Sequence, residues 1–264
     1  MRKTVKWVGF DMDECVGVTH YLYPFAHEFL NRETSTFFKT ILKALAKSEL
    51  RRDTGYLRPA MIPVLDAVYK SWKSGHIAGA FMYSNNSSHA LVDMIRQLLN
   101  TMIGIRHMLP HPPLVLQMAV SAQTPERPSS FVKDWEGIVR CLKSQGLVPP
   151  ASKQDLLFYD DMPHVLEKQI PHYCRVPKYT FVTPQALFIT LVNPLVPPDL
   201  HSRWSVVKDQ LTSLDHSVSK QIPETDRGLV PMLNAFHTFD SMPSRSTRRH
   251  SRHRRMTRKI RRQE

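Results

Sequence analysis

Residues 5–14 read VKWVGFDMDE: a short apolar, β-branched and aromatic run, Val5 to Phe10, that stops abruptly at Asp11, Asp13 and Glu14. A buried parallel strand has this form when it delivers a polar loop at its carboxyl end. The same form recurs twice. Ile77–Tyr83 (IAGAFMY) runs directly into Ser84-Asn85-Asn86, and Asp155–Tyr159 (DLLFY) runs into Asp160-Asp161. Leu114–Val120 fits a further strand within an otherwise irregular, proline-rich stretch from 104 to 130, and the segment Tyr179–Val182 reads as the next one.

Between these runs the apolar residues change to helical spacing. Phe29, Phe37, Phe38, Ile41, Leu42 and Leu45 make residues 24–50 largely helical. Pro59 suits the first turn of a helix whose inner face is Met61, Val64, Leu65, Val68 and Trp72, ended by Gly75. Leu91, Met94, Ile95, Leu98 and Leu99 follow Ser87 or Ser88 as N-cap, and Trp135–Ser144 reads as another helix. Strands alternating with amphipathic helices indicate a doubly wound α/β sheet. In such sheets ligands bind outside the carboxyl ends of the strands, where the three polar clusters converge. After Val192 the chain reads as a linker (NPLVPPD), a helix within Trp204–Leu214, and a weakly structured stretch from 215 to 243.

The chain has 264 residues, 42% of them hydrophobic, and a formal charge of +13. The apolar fraction excludes disorder throughout; nine glycines and three cysteines exclude collagen and a disulfide scaffold. The charge is not evenly spread. Residues 244–264 (SRSTRRHSRHRRMTRKIRRQE) carry nine Arg and one Lys against one Glu, a net of +9, which leaves only +4 for the other 243 residues. The tail lacks aromatics and an apolar face, so it is expected to be disordered until it meets a polyanion, serving either as a targeting signal or as a sequence-blind contact to nucleic acid. Cys15, Cys141 and Cys174 show no ligand spacing and fit a reducing compartment. No apolar run reaches membrane-spanning length, so a soluble intracellular protein is expected.

Asp11 and Asp13, one residue apart at a strand end, allow one carboxylate to attack while the other moves a proton, although two acids at this spacing also suit a solvated loop or a helix cap. Ser84-Asn85-Asn86 offers the hydroxyl, amides and N–H groups that a phosphate or an oxyanion requires; a capped turn is the plainer alternative. Lys133 stands alone, which by itself suggests solvent exposure. Adjacent like charges at Asp160-Asp161 are costly unless a cation sits there, which suggests Mg²⁺.

Taken in order, DMDE, YSN, Lys133-Asp134 and FYDD resemble the four motifs of the haloacid-dehalogenase superfamily of phosphatases, with spacings of 73, 49 and 27 residues between Asp11, Ser84, Lys133 and Asp160. Arg58-Pro59, Lys133-Asp134 and DDMP further resemble the branch of NLI-interacting-factor-like phosphatases, which includes enzymes acting on the carboxy-terminal domain of RNA polymerase II. The resemblance covers residues 5–182 and implies a Rossmann-like domain over 1–191, with a small helical insert over 17–57, followed by a linker and accessory region over 192–243.

It further implies Asp11 as nucleophile forming an aspartyl-phosphate and Asp13 as general acid and base. Ser84 and Asn85 would hold the phosphoryl group, and Lys133 would offset charge on phosphate and Asp11. Mg²⁺ would be held by Asp11, the Asp13 carbonyl and Asp161, with Asp160 in support. Cys15 and Met162 depart from the family pattern, and the thiol beside carboxylates reads as structural. The expected activity is hydrolysis of phosphoserine or phosphothreonine in a protein, in the nucleus if the source is eukaryotic or a virus of eukaryotes. A polynucleotide 3′-phosphatase and a non-catalytic phospho-binding module are the alternatives.

Overall fold

A computed structural model describes residues 5–30, 34–127, 132–181, 185–214 and 226–242. The basic tail, and with it the expectation of disorder there, lies outside the described residues. Five strands form one all-parallel sheet: β1 (Trp7–Phe10), β2 (Gly79–Tyr83), β3 (Leu116–Val120), β4 (Leu156–Asp160) and β5 (His172–Arg175), in the order β3-β2-β1-β4-β5. The connections carry helices α1 (Tyr23–Phe29), α2 (Ser35–Arg51), α3 (Met61–Lys73), α4 (His89–Arg106), α5 (Trp135–Ser144) and α6 (Val165–Gln169). Beyond β5 come α7 (Gln185–Val192), α8 (His201–Ser213) and α9 (Leu229–Ser241).

The alternation within each strand divides the core in two. Val8, Phe10, Met82, Leu157 and Tyr159 face one layer with residues of α1–α4 and α7–α9. Trp7, Phe81, Tyr83, Leu156 and Phe158 face the other, with Ile138 and Leu142 of α5 and Leu166 of α6. With both faces covered, the strands must be apolar along their buried length, as β1 and β2 are, and the arrangement is compatible with a doubly wound, Rossmann-like fold. Gly9 is dictated by that packing: a Cβ there would stand 2.3 Å from the Phe158 ring and 2.8 Å from that of Phe81. The chain runs outward from β1 to β3, then returns to add β4 on the other side of β1, so the order reverses between β1 and β4. The carboxyl ends of those two strands therefore form the crevice in which such sheets bind ligands.

Several local expectations change. α3 begins at Met61, with Ala60 at its N-cap, so Pro59 precedes the helix and Pro63 occupies its first turn. Gly75, at φ 75°, ends it as expected. The strand beside β4 is His172–Arg175; it is only half-buried at the sheet edge and so lacks an apolar run. Tyr179–Phe181 instead leaves the sheet, Tyr179 donating its N–H to Glu14 O at 2.8 Å, and buries its rings against Val18. The stretch expected to be weakly structured contains α9, and residues 215–225 lie outside the described part.

α9 is tied to the sheet. Lys6 Nζ donates to the carbonyls of Phe239 and Met242 at 2.6 Å each, and the Tyr159 hydroxyl donates to Met232 O at 2.8 Å. Just before it, Asp226 accepts from the buried Arg58 guanidinium (2.9 and 3.1 Å) and from the N–H groups of Ala60 and Gly228. Burial pushes this carboxyl up, and the Arg58 guanidinium with the two N–H groups more than offsets that, holding it below the usual carboxylate range. Asp226→Ala leaves a buried guanidinium unpaired and is expected to cost about 3–5 kcal/mol in urea unfolding; an unchanged midpoint would show the pair to be dispensable.

Arg58 also donates to Cys15 O (3.1 Å) and Pro177 O (3.0 Å), and so reaches the turn that follows β1. That turn is tightly wound: Met12 O accepts from Val16 N (3.0 Å) and Gly17 N (3.3 Å), and Glu14 adopts φ 58°. Gly17 pairs with Leu57, and a Cβ on it would fall 1.9 Å from Tyr56 O, so only glycine fits. The 54–57 segment is in turn held by buried Glu49, which accepts from the Thr54 hydroxyl (2.6 Å) and from Tyr56 and Leu57 N–H.

Burial pushes the Glu49 carboxyl up to about 7, against those three hydrogen bonds. Because its folded value exceeds its unfolded one, its contribution is complete below the unfolded value and is lost as pH rises toward 7. Over that interval it amounts to about 3 kcal/mol. Stability should therefore fall between pH 5 and 7.5, and Glu49→Gln should flatten the profile. Parallel profiles for the two proteins would rule this out.

Candidate active site

Asp11 follows β1 and still belongs to the ladder, its N–H donating to Tyr159 O at 2.9 Å. Asp160 is the last residue of β4, with Asp161 immediately after it. Because β1 and β4 are neighbours with Phe10 opposite Tyr159, these carboxylates meet although some 150 residues separate them in sequence. One oxygen of each of Asp11, Asp160 and Asp161 lies within 4.8 Å of the others, and all three residues are buried.

Lys133 enters this cluster from the turn before α5. Its Nζ stands 2.6 Å from Asp11 Oδ1 and 2.9 Å from Asp160 Oδ2, and the residue is almost wholly buried. The lysine that looked solvent-exposed in isolation is thus an internal cation. Its neighbour explains its placement: Asp134 caps α5, accepting from Gly137 N at 2.6 Å, so the helix start fixes the lysine one residue ahead.

Three buried carboxylates against one ammonium leave a formal deficit of two positive charges. Burial works against the Lys133 ammonium, but Asp11 and Asp160 outweigh it and hold the group above the ordinary lysine range. The surplus negative charge falls on the acids. Burial pushes Asp11 up to about 7 despite Lys133, and burial together with Asp160 raises Asp161. Among the described residues Asp161 Oδ2 is buried without a hydrogen-bond partner; Lys178 stands 3.8 Å from it and is already bound to Glu14. A divalent cation meets this donor set in both charge and chemistry, since hard oxygen ligands with one unpartnered carboxylate oxygen suit Mg²⁺. The Asp13 side chain is not part of the group. Its backbone carbonyl accepts from Cys15 N at 2.7 Å and retains a second lone pair.

Asp13 is held instead by the loop after β2. Its Oδ2 accepts from Asn86 Nδ2 at 3.2 Å, while Oδ1 is buried and has no partner among the described residues. Burial raises its carboxyl above the usual range, in spite of that hydrogen bond. A carboxyl so placed holds its proton more readily than a free one and has an oxygen free to deliver it.

The register Phe10↔Met82 brings the end of β2 beside the 11–13 turn. Ser84 is fully buried, its Oγ accepting from Asn86 N at 2.9 Å. Asn86, assigned no role of its own above, is the residue that touches Asp13. Arg127 had no signal beyond its place in TPERPSS. It is buried, donates to Ser84 O and to Asn85 Oδ1 (2.7 Å), and lies over the Tyr83 ring at 4.6 Å. It braces the loop after β2; the strand-end pattern could not find it, because it belongs to an irregular segment. His164 Nε2 stands 3.6 Å from Asp160 Oδ2, and burial followed by nearby Lys133 depresses its imidazole. Cys15 is buried, and burial with Asp11 and Asp160 pushes its thiol well up, in line with a structural role.

Next to Asn86 opens a cleft of about 680 Å³ lined by His20, Tyr23, His27, Ser88 and His89, with no Asp, Glu, Lys or Arg among its described lining residues. Arg58, paired with Asp226, reaches the 11–17 turn through its hydrogen bond to Cys15 O.

Comparisons with protein-family models, with curated proteins and with solved structures find no significant match to this chain. The class that fold and site define is an α/β protein whose all-parallel sheet gathers Asp11, Asp13, Lys133, Asp160 and Asp161 at its carboxyl edge. Among the described residues no helix is long and apolar enough to cross a membrane.

Proposed function

We propose that the chain is a Mg²⁺-dependent phosphatase of the haloacid-dehalogenase type, hydrolysing phosphomonoesters on serine or threonine of a protein through an aspartyl-phosphate. The observation that carries this reading is the buried Lys133 bridging Asp11 and Asp160 while Asp161 retains an unpartnered oxygen. The ammonium would face a phosphoryl group held against Asp11, and the two positive charges that the cluster lacks are those a divalent cation would supply. The four motif resemblances in order support the same reading.

Asp11, Asp161 and the Asp13 carbonyl would hold the cation, with Asp160 fixing Lys133. The bound ion would supply charge neutralisation for the transferring phosphoryl group. A carboxylate oxygen of Asp11 attacks phosphorus as the bond to the leaving oxygen breaks, and Asp13 gives its proton to that oxygen. Asp13, now a carboxylate, takes a proton from water. The resulting hydroxide attacks phosphorus, the bond to Asp11 breaks, and inorganic phosphate leaves. The Ser84 loop, braced by Arg127, would hold the non-reacting phosphoryl oxygens. The cleft beside Asn86, lined by histidines and Tyr23 and without Asp, Glu, Lys or Arg among its described residues, would accept the leaving serine or threonine with its flanking peptide.

The test is phosphate release from a phosphoserine peptide and from a 3′-phosphorylated oligonucleotide, with and without Mg²⁺. Release from the peptide only with Mg²⁺ is expected. Absence of turnover on any phosphate ester would overturn the reading, and preference for the oligonucleotide would move it to nucleic-acid ends.

Binding of the cation has its own readout. At a hundredfold excess over its dissociation constant it stabilises the fold by about 2.7 kcal/mol, or about 5–10 °C in Tm. Asp161→Asn should remove most of that rise. A Tm indifferent to Mg²⁺ in the unsubstituted protein would count against the site.

A further inference from the structure

A second cleft, of about 670 Å³, lies away from the strand ends, between α2, the second half of α4 and the loop that follows it. Its floor is aliphatic, with Leu42, Ile105 and Leu109. Its outer wall exposes two large apolar side chains, Met108 at 91% and Leu114 at 68%. One edge is a row of lysines, Lys39, Lys43 and Lys47, each exposed and four residues from the next on α2. They rise in steps of about 6 Å along one helix face, and none is in an ion pair among the described residues. No Asp or Glu occurs between Met94 and Pro125, and the only acid of α2, Glu49, is buried on its opposite side.

The polar groups in the floor are already engaged. Asn100 exchanges hydrogen bonds with Leu116, Thr101 donates to Gln97 O, and Arg96 is held by Asp93 and Leu116 O. What remains for recognition is apolar surface and lysine charge.

Met108 adds an independent sign. It ends α4 in a left-handed conformation (φ 51°), its N–H donating to Ile105 O and that of Leu109 to Gly104 O. Glycine normally takes this position, because a side chain there costs about 1–2 kcal/mol. A methionine held there in solvent stabilises nothing within the described fold.

We propose that this groove docks an acidic amphipathic helix of a partner protein, its apolar stripe on Leu42, Ile105, Met108 and Leu114 and its carboxylates, four residues apart, along Lys39, Lys43 and Lys47. An apolar groove with one charged edge recognises a helix of that pattern. Among its described lining residues the groove has no Phe, Tyr or Trp on which bases would stack, so a nucleic-acid strand fits it less well. The chain's own tail cannot be the occupant, since 244–264 carries +9 against the same lysines.

The experiment pans a library of random 16-residue peptides against the full-length protein and locates the enriched peptides by crosslinking. Phosphatidylserine vesicles and a single-stranded oligonucleotide serve as competing probes. Enrichment of acidic peptides with apolar residues at helical spacing, crosslinked to residues 39–47 and 96–114, is expected. The triple variant Lys39→Glu/Lys43→Glu/Lys47→Glu should bind them at least tenfold more weakly with an unchanged Tm, as should the unsubstituted protein when each peptide Glu is Gln. Asp11→Asn should bind them normally, so failure here is distinct from failure of the phosphatase reading. The proposal is overturned by no enrichment, by neutral or basic winners, by crosslinks elsewhere, by affinity indifferent to the lysines, or by vesicles or oligonucleotide binding the groove in place of peptide.

Discussion

Asp11→Asn is expected to lower phosphate release by about 10⁴-fold or more, because removing a nucleophile forfeits the whole covalent route and leaves only binding and charge neutralisation. The substitution is isosteric, and the Asp11 N–H bond to Tyr159 O does not involve the side chain, so β1 keeps its register. Lys133 keeps Asp160 at 2.9 Å. Loss of activity with an intact fold is therefore the predicted pair of results. A peptide spanning Asp11 should carry phosphate in acid-quenched reactions of the unsubstituted protein and none in the variant. Turnover surviving at more than about one hundredth of the normal rate would mean that water attacks directly and that Asp11 only holds the cation.

Lys133→Met is expected to cost about 3–5 kcal/mol of stability at pH 8, since it removes the ammonium that bridges buried Asp11 and Asp160. The sign with pH follows from the acids that remain. Asp11 and Asp161 are already raised, and without the ammonium they rise further, so the folded state binds protons more tightly than the unfolded one. Stability is then retained at low pH and lost as pH climbs through those values. Urea unfolding should show a penalty that is small at pH 5 and large at pH 8, and that Mg²⁺ partly relieves. Activity should fall by about 10²–10³-fold, the usual cost of one charge-stabilising donor. A variant as stable as the parent at pH 8 would show that the ammonium does not balance the cluster.

The parts of the site that sequence made legible share one property: they are local. Asp11, Ser84 and Asp160 each stand where an apolar run ends, and an apolar run in a doubly wound sheet has its ligand-facing end marked by the first polar residue. Lys133 had no such mark: by its own pattern it read as solvent-exposed, only the family resemblance assigned it to the site, and the Asp134 cap that places it is seen in the structure. The residues that were missed act across the chain. Arg127 reaches Ser84 over 43 positions from an irregular segment, and Asn86 reaches Asp13 over 73. β5 was hidden because an edge strand that is only half-buried needs no apolar run, and α9 because Phe236 and Phe239 can be recognised as core only once the sheet they cover is present.

By itself the sequence determined the alternation of strands and helices, the strand ends at which carboxylates gather, and the division of a +13 charge into an almost neutral domain and a basic tail. These follow from periodicity and composition, which need no partner. Only the tertiary structure decided that β1 and β4 are neighbours, and hence that Asp11, Asp160, Asp161 and Lys133 share one buried space. The energy of a buried charge depends on which charges stand within a few ångströms of it, and strand order, not sequence distance, sets that separation.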